Sequence, residues 1–286
     1  MPSNTHATIV KANGIHEPFD PKKLYRSLTR SGAPTDLADA ITTAIGHSLK
    51  GGETTKEIYA RAFAQLRGTA RPSAARYSLK RALFDLGPSG YAFEDFLSEL
   101  YKAHGYRTQT RSTIPGTCAT HELDLWAIKG NEYIAAEAKF HNSAGTKSDL
   151  KVALYVHARF EDLKTAPLCE DQGTITHPYL ITNTKFTSEA ESYAACVGLS
   201  LISWDYPKTS NLRIMIEDAG VHPLSCLTTL SSAQKRSLMA AGVVLCRHLC
   251  DNTSTLSSLG LTEEDIARTL EEAKEICNPL PHDVRI

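Results

Sequence analysis

Acidic and basic residues stand on both sides of a short break in the segment HELDLWAIKGNEYIAAEAK, residues 121–139. The break, KGNE, contains Gly-Asn, a two-residue hairpin turn signal in which both positions tolerate positive φ. Pairing outward from this turn sets Asp124 directly opposite Glu137. The same register sets Glu122 opposite Lys139, and the period of two along a strand puts all four on one face.

Directly opposed carboxylates on neighbouring strands repel, because their Cβ atoms lie about 4.5–5.5 Å apart. Asp124 and Glu137 therefore need a proton, a solvated edge position or a cation. The alternative interpretation is a solvated hairpin face with a Glu122–Lys139 ion pair of little energetic value. The residues predicted to point to the other face are apolar: Leu123, Leu125, Ile134, Ala136 and Phe140.

The whole chain has the length and composition of a globular protein with two or three domains. It has 286 residues, of which 42% are hydrophobic and 22% charged. No apolar run is long enough to span a membrane, and the N-terminus lacks a basic-then-apolar export signal. The seven cysteines include no CxxC pair. We therefore expect a cytoplasmic protein without a disulfide framework and without a membrane partner.

The formal net charge of −1 is unevenly distributed along the chain. Residues 1–90 contain 13 Lys and Arg against 7 Asp and Glu, whereas residues 91–222 contain 12 against 17. Residues 223–286 contain 6 against 8. A basic first segment suits a polyanion such as a nucleotide or nucleic acid, and an acidic middle segment suits a cation site.

The first segment, residues 1–87, is predicted to be a β-hairpin followed by a helical bundle. Asn13-Gly14 lies between two short β-like runs, and Thr54 with Glu57 forms a capping-box pattern. The sequence GPSG at 87–90 predicts a domain boundary. Four helices are expected, at Pro21–Arg30, Thr35–Lys50, Thr54–Leu66 and Pro72–Leu86.

This first segment contains neither a GxxxxGK[ST] loop nor a GxGxxG turn. Its opening, IVKANGIHEPFDPKKL, resembles the ATP-cone domain, although Ala12 stands where that family usually has arginine. The resemblance implies a regulatory site for ATP or dATP that does not hydrolyse the nucleotide. A small DNA-binding bundle is the alternative. The matching residues are Val10, Lys11, Asn13, Gly14, Phe19, Asp20 and Lys23, with Tyr77 and Arg81 near the end of the segment.

The middle segment, residues 90–210, alternates helices and strands and predicts an α/β domain with a central sheet. Helices are expected at Tyr91–His104, Asp149–Leu163 and Ser188–Cys196. Strands are expected at Gly105–Thr110, Leu123–Ile128, Tyr133–Phe140, Tyr179–Asn183 and Leu199–Trp204.

The hairpin sequence resembles the PD-(D/E)xK nuclease motif, in which an acidic residue is followed by a hairpin and then by Glu-x-Lys. The matching residues are Asp124 and Glu137-Ala138-Lys139. The run GYAFEDFLSELYKAHGYR resembles the first helix and strand of Mrr-type restriction endonucleases, with Glu94 at the place of their helical glutamate. The later runs ITNTKFTSEAESYA and LSLISWD also resemble that group. The chain departs from it in having Glu137 where many members have glutamine, and in HELD where they have a glycine before the acid.

The resemblance implies an α/β/α restriction-endonuclease-like fold and Mg²⁺-dependent hydrolysis of DNA. Asp124 and Glu137 are hard oxygen ligands suited to Mg²⁺, with Mn²⁺ as a substitute, and the Ala138 carbonyl is a third candidate ligand. Lys139 would orient the water or neutralise the phosphate. Glu94 would bind a second metal or hold a water. A cation would thereby relieve the opposed carboxylates.

Several other polar residues of the middle segment have two interpretations. His141 and Asn142 extend the catalytic strand, where they either touch substrate or cap the strand end, and His121 is equally well a loop residue. Tyr155 and Arg159 lie one helical turn apart, on a face that either meets the phosphate backbone or is the solvated stripe of an amphipathic helix.

The tail, residues 222–286, alternates short helices with Gly242 and Gly260 and loosely resembles helix-hairpin-helix or SAM-like bundles. A protein-contact or packing bundle is an equal alternative, and Cys246 and Cys250 are expected in a core rather than at zinc.

Taken together, the resemblances of the first and middle segments predict a type IV restriction or phage-defence endonuclease. Its partners would be DNA, a regulatory nucleotide and further copies of itself. The alternative is a nucleotide-sensing or DNA-binding protein with an inactive nuclease-like domain.

Overall fold

The computed structural model describes residues 7–87, 90–168, 173–251 and 254–280. The chain divides into two compact units, one formed by residues 1–82 with 222–286 and the other by residues 83–221. No helix in the described ranges has both the length and the apolar character needed to cross a bilayer. Two of the four residues of the predicted boundary GPSG, at 88 and 89, lie outside the described residues.

The first unit begins with an antiparallel hairpin of β1 (Thr8–Val10) and β2 (His16–Pro18). Gly14 has a φ of +80°, which explains why Asn-Gly is needed at this turn. Asp20 then caps the first helix by accepting a hydrogen bond from the Lys22 amide at 2.9 Å. The predicted hairpin is therefore confirmed, together with the start of the helix that follows it.

Five helices follow in this part of the chain, and Thr54 with Glu57 forms the predicted capping box at the third. The helix predicted at Pro72–Leu86 is interrupted at Ser78, so that prediction is wrong. The Ser78 hydroxyl donates to the Ala75 carbonyl at 2.8 Å, an alternative to regular helical pairing. The five are α1 (Pro21–Arg30), α2 (Thr35–Ser48), α3 (Thr55–Thr69), α4 (Arg71–Tyr77) and α5 (Leu79–Phe84).

The second unit is built on a mixed five-stranded sheet in the order β3-β4-β5-β7-β9. The first three strands pair antiparallel and the last three pair parallel. They are β3 (Arg107–Pro115), β4 (Thr120–Lys129), β5 (Glu132–Lys139), β7 (His177–Thr182) and β9 (Ser200–Ile202). The short strands β6 (Lys147–Ser148) and β8 (Lys185–Phe186) pair separately.

Helices α6 (Tyr91–Ala103), α7 (Leu150–Leu163), α8 (Ser188–Val197) and α9 (Leu212–Ala219) pack around this sheet. The predicted α/β class is confirmed, and each predicted helix and strand of the middle segment is present with its ends shifted by a few residues. The first strand is longer than expected, and α9 was not predicted. A buried core cluster joins the sheet to α7 and α8 through Leu123, Ala135, Val156, Phe160, Leu180, Ala190 and Leu201.

The chain then returns to the first unit through α10 (Ser232–Ala240), α11 (Cys246–Asp251), α12 (Ser254–Ser257) and α13 (Glu263–Cys277). Arg76 of α4 donates to the backbone carbonyls of Glu275 and Asn278. The sequence treated the first and third segments as separate, whereas the structure packs them into one unit. The contacts of Arg76 join residues 199 and 202 positions apart, and contacts at such separations leave no local sequence pattern. Composition and turn signals therefore predicted the boundaries of the segments but not that the first and third pack together.

Glu272 of α13 is buried in this unit, with 3% of its surface exposed. Its two carboxylate oxygens accept hydrogen bonds from the backbone amides and the hydroxyls of Thr228 and Thr229, at 2.6–3.0 Å. A buried carboxylate needs such donors because nothing else replaces its lost hydration. Glu272 therefore fixes the loop between Cys226 and α10.

Candidate active site

The predicted hairpin register is present between β4 and β5. Lys129 pairs with Glu132, and the ladder continues to Leu125 opposite Ala136. It stops one step before Asp124 and Glu137. Instead, the Asp124 carboxylate accepts a hydrogen bond from the Ala138 amide at 2.7 Å, so a side chain replaces a strand partner at this point.

The Glu137 carboxylate is held by Arg159, a residue of α7. One guanidinium nitrogen of Arg159 forms an ion pair with Glu137 and also donates to the Glu122 carbonyl at 3.1 Å. Both side chains of the ion pair are largely buried, at 16% and 12% exposed for Arg159 and Glu137. The Nε atom of Arg159 is buried and has no hydrogen-bond partner among the described residues. Glu122 and Lys139 form no ion pair with each other within that part of the chain.

Burial controls the ionisation of the two central carboxyl groups. Burial and, after it, the charge of Asp124 raise the pKa of Glu137 to about 7, although the charges of Arg159 and Lys139 oppose the shift. Burial also raises the pKa of Asp124, against the hydrogen bond from the Ala138 amide. A cation between these groups would favour their ionised forms.

Glu94 projects from α6 toward the same pair of carboxylates. It is 7% exposed, and its Oε2 accepts a hydrogen bond from Arg111 at 3.2 Å. Burial raises its pKa, and the charge of Asp124 adds to the shift while Arg111 opposes it. Arg111 also donates to Asp95 at 2.8 Å and has a φ of +53°, which interrupts β3 where it would pair with Asp124. The structure thus brings Glu94, Asp124, Glu137 and Lys139 together.

The end of β5 that carries Lys139 is fixed by the last residue of β7 and the residue after it. The Thr182 hydroxyl donates to the Lys139 carbonyl at 2.7 Å. Asn183 pairs with both the amide and the carbonyl of His141 at 2.9 Å. The Lys139 side chain is itself exposed. His141 therefore has a strand-end role, and sequence reasoning missed Thr182 and Asn183, for which the segment ITNTK offered no motif.

Other polar residues near the hairpin have structural partners. His121 contacts the Asp162 carboxylate at 2.7 Å, and the amides of Cys118 and Ala119 donate to the same carboxylate. These hydrogen bonds hold the loop between β3 and β4 against the end of α7.

Most of the residues predicted to bind nucleotide lie at the hairpin and the start of α1. The Lys11 Nζ atom forms a 2.6 Å ion pair with Glu17. The hydrogen bond from Lys11 and the charge of Lys11 lower the pKa of Glu17, and the charge of Lys23 lowers it as well. Both lysines therefore lie near this carboxylate. Asn13 accepts a hydrogen bond from the Ile15 amide at 3.3 Å, and Gly14 makes the turn. The Val10 amide donates to the backbone carbonyl of Glu53 at 3.0 Å.

Tyr77 and Arg81, near the end of the first segment, differ in burial. Tyr77 stacks on Tyr59 with ring centroids 5.1 Å apart, and it packs against the core of the bundle. Burial raises its pKa to about 12, against a hydrogen bond with Ser27. Arg81 lies on α5 and is exposed. Their predicted role in nucleotide binding remains a prediction.

The donor set at the hairpin fits a hard divalent cation. Carboxylate oxygens of Asp124 and Glu137 and the carbonyl of Ala138 are oxygen ligands, and Mg²⁺ is commonly bound through one or two carboxylates while keeping several waters. Within the described ranges, the hairpin included, no group of three or more His, Cys, Asp or Glu side chains is arranged to hold a metal ion. A cation at the hairpin would therefore be held by the two carboxylates of Asp124 and Glu137 together with backbone oxygen. Arg159 already provides one positive charge at Glu137, so a metal would have to share or replace that contact.

Comparison with known proteins finds a family model, a relative and solved structures that are similar to this chain. The family AF1548-like, C-terminal, matches residues 222–277. An uncharacterized protein of Archaeoglobus fulgidus is 33% identical over 181 residues, covering 63% of this chain and 99% of the relative. A crystal structure titled as AF1548, a protein of unknown function, is 32% identical with a TM-score of 0.51, covering 66% of this chain and 98% of that one.

The chain therefore belongs to the AF1548-like family, which the sequence patterns did not reveal. The structure of Can2 from Sulfobacillus thermosulfidooxidans in complex with cyclic tetra-adenylate also matches, at 11% identity and a TM-score of 0.29. It covers 63% of this chain and 47% of that one. A score this low supports no inference about fold or activity.

Proposed function

We propose that the second unit is a Mg²⁺-dependent DNA endonuclease of the restriction or phage-defence type. The observation that carries the proposal is the convergence of Asp124, Glu137 and Glu94 where the hairpin ladder ends, beside Lys139. Burial disfavours several negative charges in one place, so these groups either bind a proton or need a positive charge beside them. A nuclease site requires this combination, because it must hold a cation and stabilise the charge that develops on a phosphate.

Each residue has a distinct part in the proposed site. Asp124 and Glu137, with the Ala138 carbonyl, would hold the metal, and the metal would supply a polarised water and a clamp on the phosphate. The Ala138 amide orients the Asp124 carboxylate. Lys139 would orient the attacking water or neutralise the phosphate, and Glu94 would hold a water or a second metal.

The Arg159–Glu137 ion pair favours a second candidate function, a nucleotide-sensing or DNA-binding protein with an inactive nuclease-like unit. In that case the guanidinium would be the permanent counter-ion of the two carboxylates. Two observations favour the enzyme instead. Arg159 contacts one carboxylate of the pair, and burial with the charge of Asp124 still keeps the pKa of Glu137 near 7 despite that contact.

The proposed activity is tested by incubating the purified full chain with supercoiled plasmid and with circular single-stranded DNA. We expect Mg²⁺-dependent nicking or linearisation of at least one substrate, which EDTA abolishes. Intact substrates in Mg²⁺ and in Mn²⁺, with and without ATP, would favour the inactive alternative.

For the first unit we propose a regulatory site for ATP or dATP of the ATP-cone type. Its support is the pair of lysines beside Glu17, one on the hairpin and one in the first turn of α1. Phosphates would compete with Glu17 for Lys11. We further propose that bound nucleotide changes the oligomeric state and the cleavage rate together, which requires different affinities for nucleotide in the two states.

Millimolar ATP or dATP is expected to raise the melting temperature of the full chain, because a ligand that binds only the folded state stabilises it by mass action. Lys11→Ala and Lys23→Ala should reduce the shift. Lys56→Ala, which removes an exposed lysine of α3 in the same unit, is the matched control and should keep it. Thermal scans with and without nucleotide measure the effect, and equal shifts in all four proteins would refute the assigned site.

A further inference from the structure

Two exposed tyrosines flank the candidate active site, one on α6 and one on α7. Tyr91 is 61% exposed and Tyr155 is 51% exposed. Among the described residues of the second unit, the other large hydrophobic side chain with comparable exposure is Leu154, at 44%. Tyrosine and arginine side chains beside a candidate site are the groups on which nucleic-acid bases stack.

Each tyrosine is joined to a carboxylate of the site through an arginine. The guanidinium carbon of Arg159 lies 4.7 Å from the ring centroid of Tyr155, and Arg159 pairs with Glu137. On the other side, the guanidinium carbon of Arg111 lies 5.6 Å from the ring centroid of Tyr91. Arg111 in turn pairs with Glu94 at 3.2 Å. These contacts link Tyr155 to Glu137 and Tyr91 to Glu94, so the two rings lie next to different carboxylates of the site.

The charge of this unit limits how it can bind a polyanion. Residues 83–221 contain 12 Lys and Arg against 18 Asp and Glu, so attraction to phosphates contributes little over the unit as a whole. Stacking of bases on aromatic rings does not depend on net charge, and arginine beside the ring adds to it. Bases in a duplex already stack on each other, whereas unpaired bases are free to stack on a protein side chain.

We propose that Tyr91 and Tyr155 stack on unpaired bases on either side of the scissile phosphate, so that the unit selects single-stranded or locally unpaired DNA. The proposal rests on the proposed nuclease function and assigns its substrate class. Arg111 and Arg159 hold the rings in place and lie beside the phosphates between the two bases.

The test is binding of a fluorescein-labelled single-stranded oligonucleotide to the full chain in EDTA, followed by fluorescence anisotropy. The corresponding duplex and an oligonucleotide with abasic positions are measured at the same salt concentration. Tyr91→Ala and Tyr155→Ala should each weaken single-strand binding roughly tenfold. Tyr91→Phe and Tyr155→Phe keep a ring and should bind like the wild type. The control is Leu154→Ala, which removes exposed apolar surface from the same helix without removing a ring.

We expect the wild type to bind the single strand more tightly than the duplex, and the alanine effect to disappear with abasic positions. Equal affinity for strand and duplex, no binding of either, or alanine variants that bind like the wild type would overturn the proposal. EDTA prevents metal-dependent cleavage, so the binding result is independent of catalysis. A chain that binds as expected but cleaves no DNA would refute the nuclease function and leave the stacking intact.

Discussion

Asp124→Ala and Glu137→Ala are each expected to lower the rate of Mg²⁺-dependent DNA cleavage by roughly a thousandfold. Each change removes one of the two carboxylates that would hold the metal. Asp124→Ala also removes the acceptor of the Ala138 amide, at 2.7 Å in the structure. The measurement is the initial rate of plasmid or single-strand cleavage at saturating Mg²⁺.

Glu132→Gln is the control for these changes. Glu132 is an exposed carboxylate at the turn end of β5, the strand that carries Glu137 at its other end. The variant should cleave like the wild type. Circular dichroism and thermal melting of each variant separate loss of the site from loss of the fold. Folded Asp124→Ala and Glu137→Ala proteins that cleave at the wild-type rate would show that the active site lies elsewhere.

Lys139→Ala is expected to slow cleavage by roughly a hundredfold while leaving metal binding nearly intact. Lys139 has an exposed side chain, and its backbone is fixed by the Thr182 hydroxyl, so the substitution removes the charge without disturbing the strand. A variant that loses cleavage rate but keeps its metal affinity has lost a group that acts on the water or the phosphate. A variant that loses both has lost a metal ligand.

Lys129→Ala, at the turn end of the same hairpin, is the control for a lost lysine. Calorimetry with Mn²⁺ and cleavage rates are measured on both variants. The assigned role would be contradicted if the Lys139→Ala protein lost metal affinity and cleavage rate in the same proportion. It would also be contradicted if the variant lost neither.

The register of the hairpin formed by β4 and β5 could be predicted because it depends on local chemistry. Gly-Asn at the turn fixes which residues pair, and the observed ladder from Lys129–Glu132 to Leu125–Ala136 follows that pairing. The same is true of the capping box at α3, where Thr54 and Glu57 are three residues apart. Patterns of this range survive into the fold because tertiary contacts do not compete with them.

The partners of the acidic residues could not be predicted, because they come from distant elements. Arg159 reaches Glu137 across 22 sequence positions. Arg111 reaches Glu94 from an interrupted strand, at a φ of +53° that no residue pattern indicated for an arginine. Sequence reasoning placed Tyr155 and Arg159 on one helical face but could not decide between a solvated stripe and a site contact.

The central claim is that Asp124 and Glu137 hold a divalent cation. The most direct test is to titrate the full chain with Mn²⁺ and to measure the free ion by electron paramagnetic resonance. We expect a site in the wild type that is lost in Asp124→Asn and Glu137→Gln and kept in Glu132→Gln. Because the pKa of Glu137 is raised to about 7, a proton competes with the metal below that pH. The affinity should therefore be roughly tenfold weaker at pH 6 than at pH 8. Wild-type binding that matches Asp124→Asn and Glu137→Gln at both pH values would contradict the account.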